Sequence, residues 1–155
     1  MLDDKPLVSI EKLRVEFETN DGVVVGVKDV SFNIKPGECV CVVGESGSGK
    51  SVSSLSLMRL VEFGGGTIAG GQLMFEQDDG KVVDLARQNS AAMRDIRGNQ
   101  IGMIFQEPMT ALNPLYTVGN QIVEVLALHE ALRPNAARAR AIELLHRTGI
   151  PDPEI

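Results

Sequence analysis

The sequence predicts an α/β fold with a glycine-rich loop at its centre, and three adjacent features support this. An apolar run, CVCVV at 39–43, leads into a glycine-rich loop, GESGSGKS at 44–51, and a helical pattern begins at Lys50. The run does not alternate polar and apolar residues, as is typical of a strand covered on both faces. We therefore expect a buried strand, a loop and a helix in succession.

Composition sets the broad class of the protein. The chain has 155 residues, 43% of them hydrophobic, which suits one ordinary domain, and its net charge is −6. An acidic chain lacks the basic field that gathers nucleic acids, so we expect no nucleic-acid partner. No apolar stretch reaches the ~18 residues of a membrane span, and the first ten residues lack a signal-peptide pattern. We expect a cytoplasmic protein without a transmembrane segment.

An antiparallel β sub-domain is predicted before the loop. Segments 7–17 and 23–27 read as two strands joined by the turn signal TNDG at 19–22, which indicates a β-hairpin. A further strand is predicted at 30–34, closed by the turn PGE at 36–38.

Cys39 and Cys41 lie two residues apart in the predicted buried strand. Side chains at this spacing share one strand face at a separation that suits a disulfide poorly, so we expect both to pack in the core. His129 and His146 fall far away in helical segments, and we expect no metal site from these four residues.

The rest of the chain alternates helical and extended patterns. We predict a helix over 51–63, a hairpin of strands 72–77 and 81–85, a helix over 86–97 and an apolar strand over 100–106.

A proline-containing loop follows, and then two helices at about 117–132 and 135–148 that form an α-helical hairpin. We divide the chain into residues 1–106, a β sub-domain with an incomplete core, and residues 107–155, a partial helical sub-domain. The last region is basic, which indicates a solvated face or contacts with anionic lipid or another protein; its arginines are Arg133, Arg138, Arg140 and Arg147.

The loop fits the pattern G-x-x-x-x-G-K-[ST] at every fixed position, in the strand-loop-helix context that the pattern requires. Its glycines let the backbone N–H groups point inward around phosphate oxygens, and the helix start adds the positive end of its dipole. Lys50 would place a cation on the β- and γ-phosphates, and Ser51 would offer its hydroxyl to Mg²⁺. The alternative is a glycine-rich turn without a ligand. The expected phosphate-binding residues are Gly44, Glu45, Ser46, Gly47, Ser48, Gly49, Lys50, Ser51 and Val52.

Gln106 is the second candidate site residue. It ends the predicted strand 100–106, and side chains at the carboxyl end of such a strand point to the crevice where ligands bind in α/β sheets. Gln106 would then reach the metal and the attacking water; alternatively, it satisfies the backbone of a loop.

The sequence resembles the ATP-binding subunits of ABC transporters. The resemblance rests on VSFNIKPGECVCVVGESGSGKS, on IGMIFQEPMTALNP and on the preceding hairpin. The run MIFQEPMTALNPLYTVGNQI is most similar to the branch that imports oligopeptides, dipeptides and glutathione into bacteria, and VVDLARQNSAAMRDIRG resembles the glutathione and dipeptide importers in particular.

This resemblance implies a P-loop NTPase core of the ABC type that binds ATP and Mg²⁺, with Gly44 to Ser51 as the Walker A motif. Gln106 matches the Q-loop glutamine, a catalytic residue together with Lys50 and a Mg²⁺ ligand together with Ser51. Phe17 lies where the family has an aromatic residue that stacks on adenine, although it could equally be a core residue of the hairpin.

The resemblance also implies partners. These are a second nucleotide-binding domain and the transmembrane permease, contacted through residues near 107–120, at the cytoplasmic face of the bacterial inner membrane. The alternative for the segment 107–120 is a surface loop held by its prolines.

Several family motifs have no match in the 155 residues. These are the LSGGQ-type signature, the Walker B strand ending in Asp-Glu, the D-loop and the switch histidine. We expect the sequence to be the amino-terminal piece of a longer protein, with residues 39–43 lacking a neighbouring strand and exposing apolar surface. We also expect weak nucleotide binding and no meaningful ATPase activity from these residues alone.

Three functions therefore compete. The leading one is the ATP-hydrolysing subunit of a peptide or glutathione importer, active as a dimer. The others are an ABC-type ATPase of DNA repair or translation, and a nucleotide-binding module without catalysis.

Overall fold

The structure is a computed structural model that describes residues 5–107 and 111–153. The chain divides into two compact units, Met1–Gln100 and Ile101–Ile155. The division into family-type sub-domains at residue 106 remains a prediction.

The first unit is built on a four-stranded antiparallel sheet of strand order β2-β1-β3-β4. Its strands are β1 Val8–Thr19, β2 Gly22–Ile34, β3 Gly66–Glu76 and β4 Val82–Asp84. Both predicted hairpins are confirmed, and the strands predicted at 23–27 and 30–34 are one continuous strand. The sheet packs its apolar face into a core whose largest fully buried side chains include Ile10, Leu13, Val15, Leu73, Leu85, Met93 and Ile96.

Two helices complete the first unit. Helix α1, Lys50–Leu57, starts at the glycine-rich loop, and helix α2, Ser90–Ile96, is capped by the Asn89 side chain, which accepts a hydrogen bond from the N–H of Ala92 at 2.9 Å. Short 3₁₀ helices lie at Leu60–Gly64 and Leu85–Arg87.

The predicted helix over 51–63 is wrong in its length. Helix α1 ends at Leu57, and the backbone at Arg59 has φ 52, which breaks the helical path. The buried face carries Ser53 and Ser56, and Phe63, which lies beyond the end of the helix, is 80% exposed. The hydroxyl of Ser53 donates to the Gly49 carbonyl at 3.0 Å, so a polar side chain is accommodated in the interior.

The second unit contains the predicted helical hairpin. Helix α3 spans Val118–His129 and helix α4 spans Pro134–Arg147. Their contact is built on Leu126 and two small residues, Ala137 and Ala141, which let the helices approach closely. On the outer side of α4, the Arg140 guanidinium donates to Glu143 at 2.7 Å and lowers the pKa of that exposed carboxyl.

Two predicted strands are absent from the described residues. Residues 39–43 form no regular structure, with Val43 89% exposed, and residues 102–105 are likewise irregular, with Ile104 96% exposed. An isolated strand has no partners for its N–H and C=O groups, and neither segment has a neighbouring strand in the part of the chain that is described. The expectation that residues 39–43 would expose apolar surface is confirmed.

The same absence overturns the prediction for the cysteines. Cys39 and Cys41 are exposed free thiols rather than core residues.

Among the described residues, no helix is both long and apolar enough to cross a membrane.

Candidate functional site

The glycine-rich loop joins the irregular segment 39–43 to helix α1, and its conformation depends on glycine. Gly47 and Gly49 have φ values of 80° and 89°, which residues with a side chain rarely adopt. Gly49 is also the residue that caps α1, and an ideal Cβ built on it would lie 2.6 Å from the Gly26 carbonyl oxygen. Strand β2 therefore packs directly against the point where the loop becomes a helix.

The ammonium group of Lys50 lies over the loop. Its Nζ donates to the carbonyl oxygens of Gly44 at 2.7 Å and Glu45 at 2.6 Å, and it is 3.4 Å from the hydroxyl of Ser48. A single cation thus gathers the oxygens of three loop residues. Lys50 is only partly buried, so water can replace its ammonium at these carbonyls. The ammonium is then able to turn to an anion.

The backbone N–H groups of the loop supply the complementary donors. The N–H of Ser48 donates to the backbone carbonyl oxygen of Glu45 at 3.2 Å. Within the described residues, no acceptor is bound by the N–H groups of Gly47, Gly49, Lys50 or Ser51. These donors lie at the positive end of the α1 dipole, and the first turn of α1 contains no acidic residue.

Such a donor set fits a di- or triphosphate chemically. Phosphate oxygens can accept from several N–H groups, and the loop combines unpaired N–H groups with the cation of Lys50. Ser51 is exposed at the second helical position, where its hydroxyl is free to coordinate a divalent cation. Glu45 and Ser46 are exposed in the loop, and Val52 is half-buried in the first turn of the helix.

Phe17 lies in strand β1 opposite Gly66 of strand β3, and its ring is half-buried. The ring occupies space next to two glycines, because ideal Cβ atoms at Gly26 and Gly66 would each lie 2.7 Å from a ring carbon. The structure therefore gives Phe17 a packing role on the sheet. Stacking on a base stays a prediction.

Gln106 lies in the second unit as an exposed residue of an irregular segment. The strand expected to carry it is not formed among the described residues, so the predicted placement of Gln106 at a strand end is wrong. Its role toward a metal or water stays a prediction. In the described part of the chain, no group of three or more His, Cys, Asp or Glu side chains is placed to hold a metal ion.

Sequence reasoning missed one feature of the loop that follows Gln106. The Gln121 side chain of α3 holds residues 113–116 against the helix: its amide donates to the carbonyls of Asn113 at 3.0 Å and Tyr116 at 3.1 Å and accepts from the N–H of Asn113 at 3.0 Å. The held loop displays apolar side chains, since Leu115 is 85% and Tyr116 61% exposed. The predicted contact segment 107–120 includes residues 108–110, which lie outside the described residues.

Comparisons with known proteins agree with one another. A family model described as "ABC transporter" matches residues 27–154. A "Putative peptide import ATP-binding protein" of Brucella abortus (strain 2308) is 51% identical over 148 residues, covering 96% of this chain and 44% of the relative. A "Glutathione import ATP-binding protein" of Pectobacterium atrosepticum is 45% identical over 152 residues, 98% of this chain and 24% of the relative.

Solved structures show the same fold. The dimeric structure of the bacterial ABC transporter cassette MJ0796 matches with a TM-score of 0.74 at 24% identity, over 90% of this chain and 56% of that one. A post-hydrolysis state of the same cassette, bound to ADP and Pi, matches with a TM-score of 0.73 at 26% identity. The chain thus spans less than half the length of the curated relatives that it matches.

Proposed function

This chain belongs to the ABC transporter family, and on that premise we propose that it is the ATP-binding subunit of a bacterial importer for peptides or glutathione. The observation that carries the proposal is the loop from Gly44 to Ser51, in which unpaired N–H groups and the Lys50 ammonium converge on one short stretch of backbone. The relatives named for peptide import and glutathione import support the choice of solute class.

The residues of the loop take distinct roles in this proposal. The backbone of residues 44–52 holds the phosphates, and Lys50 turns its Nζ from the Gly44 and Glu45 carbonyls to the β- and γ-phosphate oxygens. Ser51 and Gln106 would hold Mg²⁺, which neutralises phosphate charge when it is bound. Phe17 offers its ring to the adenine base.

The complete protein would hydrolyse ATP as a dimer with a second nucleotide-binding domain. The dimeric post-hydrolysis structure of a similar cassette, 26% identical to this chain, supports this arrangement. The dimer would bind the permease peripherally, at the cytoplasmic face of the inner membrane, and transfer the energy of hydrolysis to it.

The permease contact is proposed for the described parts of segment 107–120, namely 107 and 111–120. Leu115 and Tyr116 are exposed apolar side chains on a backbone that Gln121 holds in place. Exposed apolar residues on a held loop suit a protein interface, because little conformational entropy is lost when a partner binds.

We expect the double substitution Leu115→Ser and Tyr116→Ser to weaken binding to the permease by roughly tenfold or more, since interface anchors of this kind contribute more than about 1 kcal/mol each. Nucleotide affinity should stay unchanged. The matched control is Leu128→Ser, which removes an apolar side chain that is 73% exposed on α3, outside the proposed contact segment. Co-purification with the permease measures the effect, and an equal loss in the control would contradict the proposed contact.

The function is tested by titration of the complete protein with MgATP in a calorimeter, together with phosphate release and co-purification of a permease. Binding, turnover and a membrane partner are expected. Binding and turnover without a permease would favour an ATPase of DNA repair or translation. Binding without turnover would favour a module without catalysis, and no binding would refute the proposal.

A further inference from the structure

The ring of Phe17 lies across the sheet between two glycines on neighbouring strands. An ideal Cβ at Gly26 of β2 would lie 2.7 Å from ring atom Cε2, and one at Gly66 of β3 would lie 2.7 Å from Cε1. These two carbons are on opposite edges of the ring. Any side chain at either position would therefore displace the ring, so the two glycines determine where it lies.

Gly26 also contacts the phosphate-binding loop. Its carbonyl oxygen lies 2.6 Å from the ideal Cβ position of Gly49, the residue that caps α1. The neighbouring Val27 side chain is 3.1 Å from the same position. One residue of β2 thus touches both the aromatic ring and the start of the helix that carries Lys50 and Ser51.

Glycine within a strand weakens it, and often marks a close approach of other groups. Here both glycines have such a neighbour, and it is the same ring. A nucleotide needs an aromatic surface and a phosphate cradle at a fixed separation, because the sugar joins its base to its phosphates covalently. Gly26 contacts both the Phe17 ring and Gly49, so it lies between the aromatic surface and the glycine-rich loop.

We propose that Gly26 and Gly66 are positioning residues for nucleotide binding: Gly66 sets the Phe17 ring as a platform for the base, and Gly26 ties that platform to the phosphate-binding loop. This inference rests on the proposed function. A purely structural role would be different, because the Phe17 ring would then only fill the space beside the two glycines of the sheet.

The test is a double-mutant cycle on the complete protein, with ATP and inorganic tripolyphosphate as ligands. Gly66→Ala and Phe17→Ala should each weaken ATP binding by about tenfold, a typical loss for one base-stacking contact. Tripolyphosphate affinity should not change, since it has no base. In the Phe17→Ala background, Gly66→Ala should cause no further loss, because it acts through the ring.

Two further variants complete the design. Gly26→Ala should weaken ATP binding as Gly66→Ala does, because its Cβ would meet the ring, and it should leave tripolyphosphate affinity unchanged, because the contact with the loop is made by the Gly26 carbonyl oxygen. The matched control is Gly64→Ala, two residues from Gly66, where a Cβ would meet nothing within 4 Å, and both affinities should be unchanged. If Gly66→Ala does not fold, Phe17→Leu removes the aromatic face while keeping an apolar side chain, and it should lose affinity for ATP alone.

The outcomes separate this inference from the proposed function. A wild type that binds neither ligand refutes both. A wild type that binds both ligands, with additive losses in the cycle, or with equal losses of ATP and tripolyphosphate for Phe17→Ala or Phe17→Leu, refutes only the positioning role of the glycines.

Discussion

Replacing Lys50 with methionine should weaken ATP binding by roughly 10²-fold and leave the free energy of unfolding almost unchanged. The change removes the ammonium and keeps the apolar stem. Two charged hydrogen bonds to phosphate would be lost, at about 1.5 kcal/mol each on the low side of their usual range. Tripolyphosphate affinity should fall by a similar factor, since both ligands present phosphates to this residue.

Stability should not follow affinity at this position. The Nζ atom donates to the Gly44 and Glu45 carbonyls at 2.7 and 2.6 Å, but both residues are exposed, so water can replace the ammonium. The matched control is Lys28→Met on strand β2, an exposed lysine outside the loop. Calorimetric titration and urea unfolding measure the two quantities. An ATP affinity within about threefold of wild type would show that Lys50 does not contact phosphate.

The local parts of the fold could be predicted from the sequence. The turn residues at 19–22 and those around Gly80 each lie between two strand patterns, and both hairpins form as expected. The helical hairpin is also confirmed, because Thr117 and Pro134 mark the helix starts locally. These elements find their partners within a few residues along the chain or on the adjacent strand.

Two of the failures concern segments whose partners are distant. Residues 39–43 and 100–106 have the composition of buried strands, yet composition cannot supply the neighbouring strand that would pair with them. In the described residues no such neighbour exists, so Val43 and Ile104 are exposed and Gln106 has no strand end to occupy. Strands of a parallel sheet pair across long stretches of sequence, so a local pattern does not show the partner strand.

The candidate site also has a part that could be predicted from local sequence and a part that depends on distant strands. The motif predicted the loop residues because their roles depend on spacing and on backbone conformation, which are local. The contacts of Phe17 with Gly26 and Gly66 could not be predicted, because they depend on strand register across three strands. A signal was present for Gly26, because a glycine inside the predicted strand 23–27 points to a close neighbour, whereas Gly66 lay outside the predicted strand 72–77.

Gly49→Ala should lower the free energy of unfolding by about 3 kcal/mol and abolish measurable ATP binding. Two costs combine at this residue. Its φ of +89° costs an alanine about 1 to 2 kcal/mol, and the new Cβ would lie 2.6 Å from the Gly26 carbonyl oxygen, a backbone atom that cannot rotate away. Strand β2 and the start of α1 must therefore separate, which moves the N–H groups that would hold phosphate.

Two other glycines of positive φ separate these costs. Gly37 has φ +75° in a turn outside the loop, with no atom within 4 Å of its Cβ position, so Gly37→Ala should cost about 1 kcal/mol and leave ATP affinity unchanged. Gly47 has φ +80° and equally open space, so Gly47→Ala should match Gly37→Ala in stability while weakening ATP binding. Urea unfolding and calorimetric titration of the three variants give the comparison. If Gly49→Ala were no less stable than Gly37→Ala, the contact between β2 and the loop would not constrain the site, and the spacing between Phe17 and Lys50 would have to be set elsewhere.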